Sequence, residues 1–228
     1  MKPRLVVLTG AGISAESGLR TFRDSDGLWE GYDVYEVASP DGWQKNPGLV
    51  LDFYNSRRRD VMNVQPNAAH TGLALLEQRY DVRVITQNID DLHERGGSTQ
   101  VIHLHGEIFK MRSVNDPAAY RTMDIRDDIR LGDLAPDGGQ LRPHIVWFGE
   151  PVPMIEDALR EVMQADIFVV VGTSLNVYPA AGLLHHVGPA VPKYIIDKKI
   201  PAVDGLDQLI LIEKPATAGV QELISLLL

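Results

Sequence analysis

Residues 5 to 29 read LVVLTGAGISAESGLRTFRDSDGLW, and this stretch decides the fold class. A short apolar run leads into Gly10, Gly12 and Ala15, which fit the G-x-G-x-x-G/A turn. Such a turn lets a backbone approach a pyrophosphate at the N-terminus of a helix. Two close glycines also occur in ordinary tight turns, so the triplet needs support from elsewhere. The polar block Gln87–Asp90, which follows a second strand-like run, supplies it. Together the two segments predict a dinucleotide-binding site.

Composition limits the class of protein. The 228 residues can bury a full core, as one large domain or as one domain with a small insertion. A hydrophobic content of 44% and a charged content of 23% are ordinary for a soluble globular enzyme. The net charge of -9 argues against nucleic acid or an anionic membrane surface as a partner. Because the chain has no cysteine, disulfides, thiolate nucleophiles and cysteine-ligated zinc are excluded.

The apolar runs of the chain are short. The run after Arg4 ends at Gly10, which is too short for the apolar region of a secretory signal. The longest run, Ile167 to Val171, is far too short to span a bilayer. We therefore expect a cytoplasmic protein without a membrane partner.

Strand-like and helical patterns alternate along the chain. The run Ile167–Val171, IFVVV, is continuously apolar, as is typical of a parallel strand buried on both faces. The other predicted strands cover residues 4–9, 82–86, 101–104, 194–196 and 209–212, and the predicted helices cover 47–61 (with Asn46 as N-cap), 68–79, 89–95, 155–164 and 220–227. The alternation predicts an α/β fold, a Rossmann-like parallel sheet with helices on both faces.

Two stretches do not fit this alternation. One covers roughly residues 31–66, and the other covers roughly residues 107–142, which are rich in Asp, Arg, Pro and Gly. We interpret both as insertions that pack together into a small domain. The Rossmann-like domain then comprises residues 1–30, 67–106 and 143–228.

Four further blocks follow the first turn in a fixed order. They are TQNIDDLHERGG (86–97), HLHGE (103–107), RPHIVWFGE (142–150) and VGTSLNVYPAAGL (171–183). An ordinary dehydrogenase would carry an acidic ribose ligand at the end of its second strand, whereas here Asp24 and Asp26 lie in a predicted loop. In order and spacing the blocks resemble the sirtuins, which are NAD-dependent protein lysine deacylases. The resemblance extends from residue 5 to about 216 and leaves out only 107–142.

The resemblance implies which residues bind NAD. The loop after the first strand would wrap the pyrophosphate, the polar block would hold the ribose and the nicotinamide carboxamide, and the segment after IFVVV would contact the adenosine half. The residues so implied are Gly10, Ala11, Gly12, Ile13, Ser14, Phe22, Arg23, Gln87, Asn88, Ile89, Asp90, Gly172, Thr173, Ser174, Asp197 and Ala216. Phe22 and Arg23 would lie in the loop that closes over the nicotinamide ribose. Asp197 stands where the family usually has asparagine, and an aspartate can accept from ribose hydroxyls but cannot donate.

The resemblance also implies a mechanism. His105 would be the general base, with Asn88 as a second catalytic residue, and His103 would only pack. The acyl-lysine carbonyl oxygen attacks C1′ of the nicotinamide ribose and expels nicotinamide. A base then takes a proton from a ribose hydroxyl, which attacks the imidate carbon, and an imidazole titrating near ~6.5 suits this step. Hydrolysis by water would then release lysine and O-acyl-ADP-ribose.

The acyl-lysine substrate would contact two segments. Val146, Trp147, Phe148 and Gly149 would form the edge along which the peptide lies as an added strand. Tyr54 and Arg57 share one face of a predicted helix. In the sirtuin subgroup that prefers acidic acyl groups, a tyrosine and an arginine at this spacing line the acyl pocket. Because a guanidinium binds a carboxylate bidentately, we expect succinyl-, malonyl- or glutaryl-lysine to be preferred over acetyl-lysine. The alternative is that residues 57–59 form a solvated helix face.

The chain departs from the family in its second insertion. Sirtuins usually bind a structural zinc there through two cysteine pairs, and this chain has none, so we expect no zinc. A small apolar core and ion pairs of Arg126 or Arg130 with neighbouring aspartates are candidate replacements. The candidate core residues are Ile108, Phe109, Met111, Tyr120, Met123, Ile125, Ile129 and Leu131.

Two other functions remain open on the same residues. One is an NAD-dependent ADP-ribosyltransferase or NAD hydrolase, which would release no O-acyl-ADP-ribose. The other is a nucleotide-binding regulatory module without turnover. The presence of Arg23, Asn88, Asp90 and His105 argues against the regulatory module, because a protein that only binds nucleotide does not need this set.

Overall fold

The computed structural model describes residues 2–20, 28–29, 31–116, 121–203 and 205–228. Phe22 and Arg23, which the sequence places in the cofactor site, lie outside the described residues, as does Tyr120.

Strands and helices alternate over most of the chain. In chain order, the strands are β1 (Arg4–Thr9), β2 (Leu28–Trp29), β3 (Tyr32–Asp33), β4 (Asp81–Thr86), β5 (Val101–His103), β6 (Gly106–Ser113), β7 (Met123–Asp124), β8 (Leu141–Ile145), β9 (Ile167–Val171), β10 (Lys193–Asp197) and β11 (Leu209–Glu213). The α-helices are α1 (Val34–Val37), α2 (Pro40–Lys45), α3 (Pro47–Asn63), α4 (Ala68–Leu76), α5 (Leu92–Arg95), α6 (Ile155–Val162) and α7 (Ala216–Leu227), and short 3-10 helices cover Ala11–Ile13, Ala15–Ser17 and Ala180–His186.

The main sheet is parallel and has the strand order β11-β10-β9-β1-β4-β5. Helices α4 and α7 pack on one face, and α6 and the 3-10 helix Ala180–His186 pack on the other. Burial on both faces explains the continuous apolar sequence of β9, in which Phe168 to Val171 are fully buried. This confirms the predicted Rossmann-like sheet with helices on both faces.

Helix α3 lies between a smaller sheet and the rest of the molecule. The smaller sheet is antiparallel, with the order β7-β6-β8. Phe53 and Tyr54 of α3 pack with Ile145 and Trp147 in one apolar cluster, and Leu51 packs with neighbours of β7 and β8 in another. Side chains of both predicted insertions therefore share these clusters, while the domain boundaries stay a prediction.

The apolar core proposed for the second insertion is present only in part. Ile129 is buried with Leu51, and Met111, Met123 and Ile125 pack around them. Ile108 and Phe109 belong instead to the cluster around Tyr54 and Trp147. The expectation for Leu131 is wrong, because this residue is 60% exposed. Arg126 lies over the Phe109 ring and 3.6 Å from Asp91, which comes from a different part of the chain than the aspartates expected.

Two polar side chains of α3 hold the second insertion in place. Asn55 Nδ2 donates to the carbonyl of Ile129 at 2.9 Å, and the Ile129 N–H donates back to Asn55 Oδ1 at 3.0 Å. Arg58, 1% exposed, donates to the carbonyls of Ile108 at 2.9 Å and Asp127 at 3.1 Å. Burial lowers the pKa of Arg58 to about 10, so its guanidinium is charged at neutral pH. In the described ranges, no cluster of three or more His, Cys, Asp or Glu side chains could hold a metal ion.

The predicted helices differ from the observed ones mainly at their ends. Helix α3 begins as predicted, with Asn46 Oδ1 accepting from Leu49 N at 3.1 Å. The helix predicted over residues 89–95 is shorter, because Asp90 Oδ1 accepts from Leu92 N at 3.1 Å and α5 begins there. Two short 3-10 helices, and no α-helix, follow the glycine turn after β1. None of the helices in the described ranges is both long and apolar enough to cross a membrane.

Candidate active site

A cleft of about 450 Å³ lies where the segments that follow β1, β4, β9 and β10 face the small sheet and α3. This position is typical, because open parallel sheets bind ligands in the crevice at the carboxyl ends of their strands. The predicted residues that line it are Gly10, Ala11, Gly12, Ser14, Tyr54, Arg57, Gln87, Asn88, Ile89, Asp90, His105, Val146, Trp147, Phe148, Gly149, Gly172, Thr173, Ser174, Asp197 and Ala216. Ile13 does not line it, because its side chain is fully buried in the sheet core.

The glycines after β1 allow two loops to touch. Gly12 N donates to the Gly172 carbonyl at 2.8 Å, and Gly10 N donates to the Val171 carbonyl at 3.0 Å. A Cβ atom on Gly12 would lie 2.7 Å from Gly172 Cα, and one on Gly10 would lie 2.7 Å from Thr173 Cβ. Gly172 itself has a φ of 65°, a backbone conformation that favours glycine. The pattern read as a pyrophosphate turn is therefore also required by the contact between these loops.

A buried polar group joins the first loop to the loop after β4. Asn88 Nδ2 donates to the Gly10 carbonyl and to Ser14 Oγ, both at 3.1 Å. Ser14 Oγ in turn donates to Asp90 Oδ2 at 3.0 Å. Burial raises the pKa of the Asp90 carboxyl, while the Leu92 N–H and the Ser14 hydroxyl lower it. These hydrogen bonds leave little freedom to the side chains that line the middle of the cleft.

His105 is oriented by a backbone carbonyl. Its Nδ1 atom lies 2.9 Å from the carbonyl oxygen of Gln87. A carbonyl oxygen can only accept, so Nδ1 carries the proton and Nε2 of the neutral ring is the acceptor. Burial lowers the pKa of His105 below its ordinary value, and the Gln87 carbonyl acts in the opposite direction. The ring is therefore neutral near neutral pH and can take up a proton at Nε2.

The end of the cleft beside α3 is aromatic and includes the guanidinium of Arg57. Tyr54 is fully buried and Arg57 is 7% exposed, which excludes a solvated face at these two positions. Trp29 packs edge-on against Tyr54, with ring centroids 6.3 Å apart, and the Arg57 guanidinium lies 5.7 Å from the Trp29 ring centroid. Burial raises the pKa of the Tyr54 hydroxyl well above its ordinary value, so it is a permanent donor. The Trp147 side chain lies close enough to this hydroxyl to hydrogen-bond with it, which partly offsets the effect of burial on the Tyr54 pKa. Neither group has another hydrogen-bond partner within the described ranges.

The segment after β8 is held in shape by an ion pair. Arg142 donates to both carboxylate oxygens of Glu150, at 2.7 and 3.2 Å, and Glu150 accepts from Trp147 N at 2.8 Å. The Arg142 guanidinium lies 3.2 Å from the Trp147 ring centroid. Phe148 N donates to the Ala38 carbonyl at 2.9 Å, and Phe148 remains 39% exposed. The cleft edge formed by Trp147 and Phe148 is therefore held in place by hydrogen bonds, while Phe148 remains partly exposed.

Several cations at the cleft escape sequence reasoning. Arg20, Lys198 and Lys199 line it, although no motif includes them. Lys198 and Lys199 follow Asp197 directly at the end of β10, and Asp197 Oδ1 accepts from Lys199 N at 3.1 Å. For the two lysines, the available sequence signal was their position directly after a parallel strand, since the carboxyl ends of such strands face the ligand crevice.

Comparison with known proteins identifies the family. The Sir2 family model matches residues 10–179. An NAD-dependent protein deacylase of Bacteroides thetaiotaomicron is 53% identical, with 98% of this chain and 97% of that protein covered. Another of Helicobacter pylori is 58% identical over 86% of this chain and 84% of that protein. A solved Sir2 homologue mutant in complex with ADP-ribose has a TM-score of 0.88 and 38% identity, and the match covers 98% of this chain and 91% of that one.

The fold and the cleft define a Rossmann-like protein whose candidate site lies between the parallel sheet and the smaller antiparallel sheet with α3. The chain belongs to the Sir2 family, uses NAD, and is an NAD-dependent protein deacylase.

Proposed function

We propose that this enzyme removes acyl groups from protein lysines, with a preference for acidic acyl groups such as succinyl and malonyl. The observation that carries the preference is the pair Tyr54 and Arg57, one fully buried and the other 7% exposed, at the end of a cleft that also contains His105. A hydroxyl donor and a guanidinium beside the aromatic rings of Trp29 and Trp147 match the distal carboxylate of such an acyl chain. An acetyl group offers these donors no acceptor.

The loops at the carboxyl ends of the strands are suited to hold NAD. When bound, NAD supplies the ribose carbon that receives the acyl oxygen and the nicotinamide that leaves. The loop from Gly10 to Ser14 would wrap the pyrophosphate, and Gly172 to Ser174 would contact the adenosine half, with Asp197 and Ala216 at the far end. Gln87 to Asp90 would hold the ribose and the carboxamide. Phe22 and Arg23, assigned to the same site, lie outside the described residues.

His105 is the proposed general base. Its Nε2 atom is the acceptor of a neutral ring whose other nitrogen donates to Gln87. It would take the proton of a ribose hydroxyl, and Asn88, held by Gly10 and Ser14, would orient the ribose and the carboxamide. Because burial lowers the pKa of His105, the base is neutral at neutral pH and ready to accept.

Val146 to Gly149 would bind the peptide. Phe148 N donates to the Ala38 carbonyl, so the segment is fixed by the protein on one side. An extended peptide could add to the other side through its main chain, and the acyl-lysine side chain would pass between Trp147 and the loop that carries His105. The acyl end would then reach Tyr54 and Arg57.

Product analysis tests the proposal. The protein is incubated with NAD and a peptide in succinylated, malonylated, acetylated and unmodified form, and the products are identified by mass spectrometry. We expect O-acyl-ADP-ribose and free lysine peptide, formed fastest from the acidic acyl peptides. ADP-ribosylated peptide, or ADP-ribose formed equally well with the unmodified peptide, would point instead to an ADP-ribosyltransferase or an NAD hydrolase.

A further inference from the structure

His103 and Glu94 form a pair directly behind the loop that carries Asn88. The Nε2 atom of His103 lies 2.8 Å from Glu94 Oε1, and its Nδ1 atom lies 3.1 Å from the carbonyl oxygen of Asn88. Only 9% of the His103 side chain is exposed. Sequence reasoning gives His103 a packing role and Glu94 none, so neither residue has a part in the proposed function.

The geometry fixes the charge of His103. A carboxylate and a carbonyl oxygen are both acceptors, so each ring nitrogen that faces one of them must carry a proton. His103 is therefore an imidazolium bound between Glu94 and Asn88. Burial alone would lower the pKa of His103, but the hydrogen bond and charge of Glu94 raise it above its ordinary value. The pKa of Glu94, which burial alone would raise, is lowered by His103.

We propose that Glu94 and His103 are positioning residues for the NAD-binding loop. The pair holds a positive charge against the Asn88 carbonyl and thereby fixes the backbone from which Asn88 and Asp90 extend. This inference rests on the NAD-binding role proposed for Asn88 and Asp90. It parallels the contact between His105 Nδ1 and the Gln87 carbonyl, so that two histidines hold two consecutive carbonyl groups of one loop.

Acidic neighbours favour the positive charge of His103, and this charge in turn acts on Asp90. Glu94 faces the ring from α5, and Glu107 adds a second negative charge from β6, itself 2.7 Å from Lys110. The positive charge of His103 also favours the ionised form of Asp90, which burial opposes. His93, on α5, also faces His103, and burial together with the charges of His70 and His103 lowers its pKa so that it is neutral. Loss of the imidazolium would therefore loosen the Asn88 carbonyl and make Asp90 easier to protonate.

The substitution Glu94→Gln tests the pair. It keeps the side-chain length but removes the charge of Glu94, which together with its hydrogen bond does most to raise the pKa of His103, so that pKa should fall. We expect NAD affinity and kcat/KM for NAD to fall about 10-fold near neutral pH, the lower end for a charge-assisted hydrogen bond. The alkaline limb of both pH profiles should move to lower pH, while the acid limb of kcat/KM, set by His105, should stay. A matched control is Glu77→Gln, whose carboxylate binds Thr99 N and Oγ1 at 2.8 Å and does not touch His103.

Three results decide the matter. Isotope-edited NMR should show both His103 ring nitrogens protonated near neutral pH in the native protein, and only one in Glu94→Gln. Glu94→Asp should recover part of the affinity. A neutral His103 in the native protein, or a Glu94→Gln variant with a lower melting temperature but unchanged pH profiles, would overturn the inference. NAD affinity needs no turnover, so it tests the pair even where no acyl peptide reacts, which is the failure specific to the proposed function.

Discussion

The backbone nitrogen of Gly12 donates to the carbonyl oxygen of Gly172 at 2.8 Å, so the loops after β1 and β9 are in direct contact across the floor of the cleft. A side chain on Gly12 has no room, because its Cβ atom would lie 2.7 Å from both Cα and O of Gly172. The two loops that line the dinucleotide end of the cleft are thus a single packed unit.

Gly12→Ala should therefore separate these loops. We expect a loss of about 1–3 kcal/mol in the free energy of unfolding, typical of overpacking, together with weaker NAD binding. Thermal unfolding with and without NAD measures both effects. Gly48→Ala is the control, because a Cβ atom there meets nothing nearer than 3.5 Å. Equal behaviour of the two variants would show that the loop contact is not needed.

His105→Ala should abolish deacylation and leave NAD binding largely intact. Removal of a general base costs about 10²–10⁴-fold in rate. His144→Ala is a useful comparison, since His144 is half-buried in strand β8 of the smaller sheet and does not line the cleft. Turnover on succinyl and acetyl peptides and NAD affinity by calorimetry are the measurements. Near-native turnover of His105→Ala on every peptide would remove His105 from the mechanism.

The acid limb of the pH–rate profile should reflect His105. The base works when neutral, and burial lowers the pKa of His105 below 6.5. Activity should therefore persist as the pH falls through 6.5 and decline only at lower pH, as the ring becomes protonated. The profile of kcat/KM measures this in the free enzyme. A limb centred above 6.5 would contradict both the burial argument and the assignment.

The sequence predicts most of the main sheet and the cleft, because their signals are local. IFVVV is β9 to the residue, Asn46 caps α3, and the glycine, QNID and HG segments converge as expected. Arg58 could not be predicted, since a run of three arginines is typical of a solvated face. Its carbonyl partners at Ile108 and Asp127 are distant in the sequence and meet it only in the folded chain. The charge of His103 could not be predicted either, because it depends on the contact with Glu94, which lies in another element.

Arg57→Met should change specificity and spare general activity. Desuccinylation should fall roughly 10- to 150-fold, the range for loss of a charge-assisted hydrogen bond of roughly 1.5–3 kcal/mol. Deacetylation should stay unchanged or improve, because an acetyl group has no distal carboxylate for Arg57 to bind. Tyr54→Phe should also lower desuccinylation and spare deacetylation, with a smaller loss of desuccinylation than in Arg57→Met.

Arg59→Met is the matched control for this prediction. Arg59 is on the same helix, but 52% of its side chain is exposed and it pairs with Asp128 outside the cleft. It should leave both activities unchanged. Equal losses of desuccinylation and deacetylation in Arg57→Met would refute the acyl-carboxylate role and leave Arg57 as a structural residue.

The last prediction concerns the absent cysteines. Zinc prefers thiolate and imidazole ligands, and the chain has no cysteine and no histidine between His105 and His144. The side chains of Asn55 and Arg58 instead connect α3 to the second insertion. They form four hydrogen bonds with the main chain of Ile108, Asp127 and Ile129. We expect no stoichiometric zinc by elemental analysis, and no change in melting temperature or activity on treatment with a strong chelator.

Arg58→Met should show what replaces the metal. It leaves the buried Ile108 carbonyl without its donor, at about 1–3 kcal/mol, and removes a part-buried hydrogen bond to the Asp127 carbonyl, so the melting temperature should fall. Arg59→Met should leave it near the native value, because Arg59 is exposed and makes only a surface ion pair. Three results together would contradict this prediction. They are about one zinc per chain after dialysis, unfolding of the protein on chelation, and an Arg58→Met variant with the native melting temperature. The second insertion would then be held by a metal whose ligands include His105, His144 or the aspartates, and the assignment of His105 as a base would fail with it.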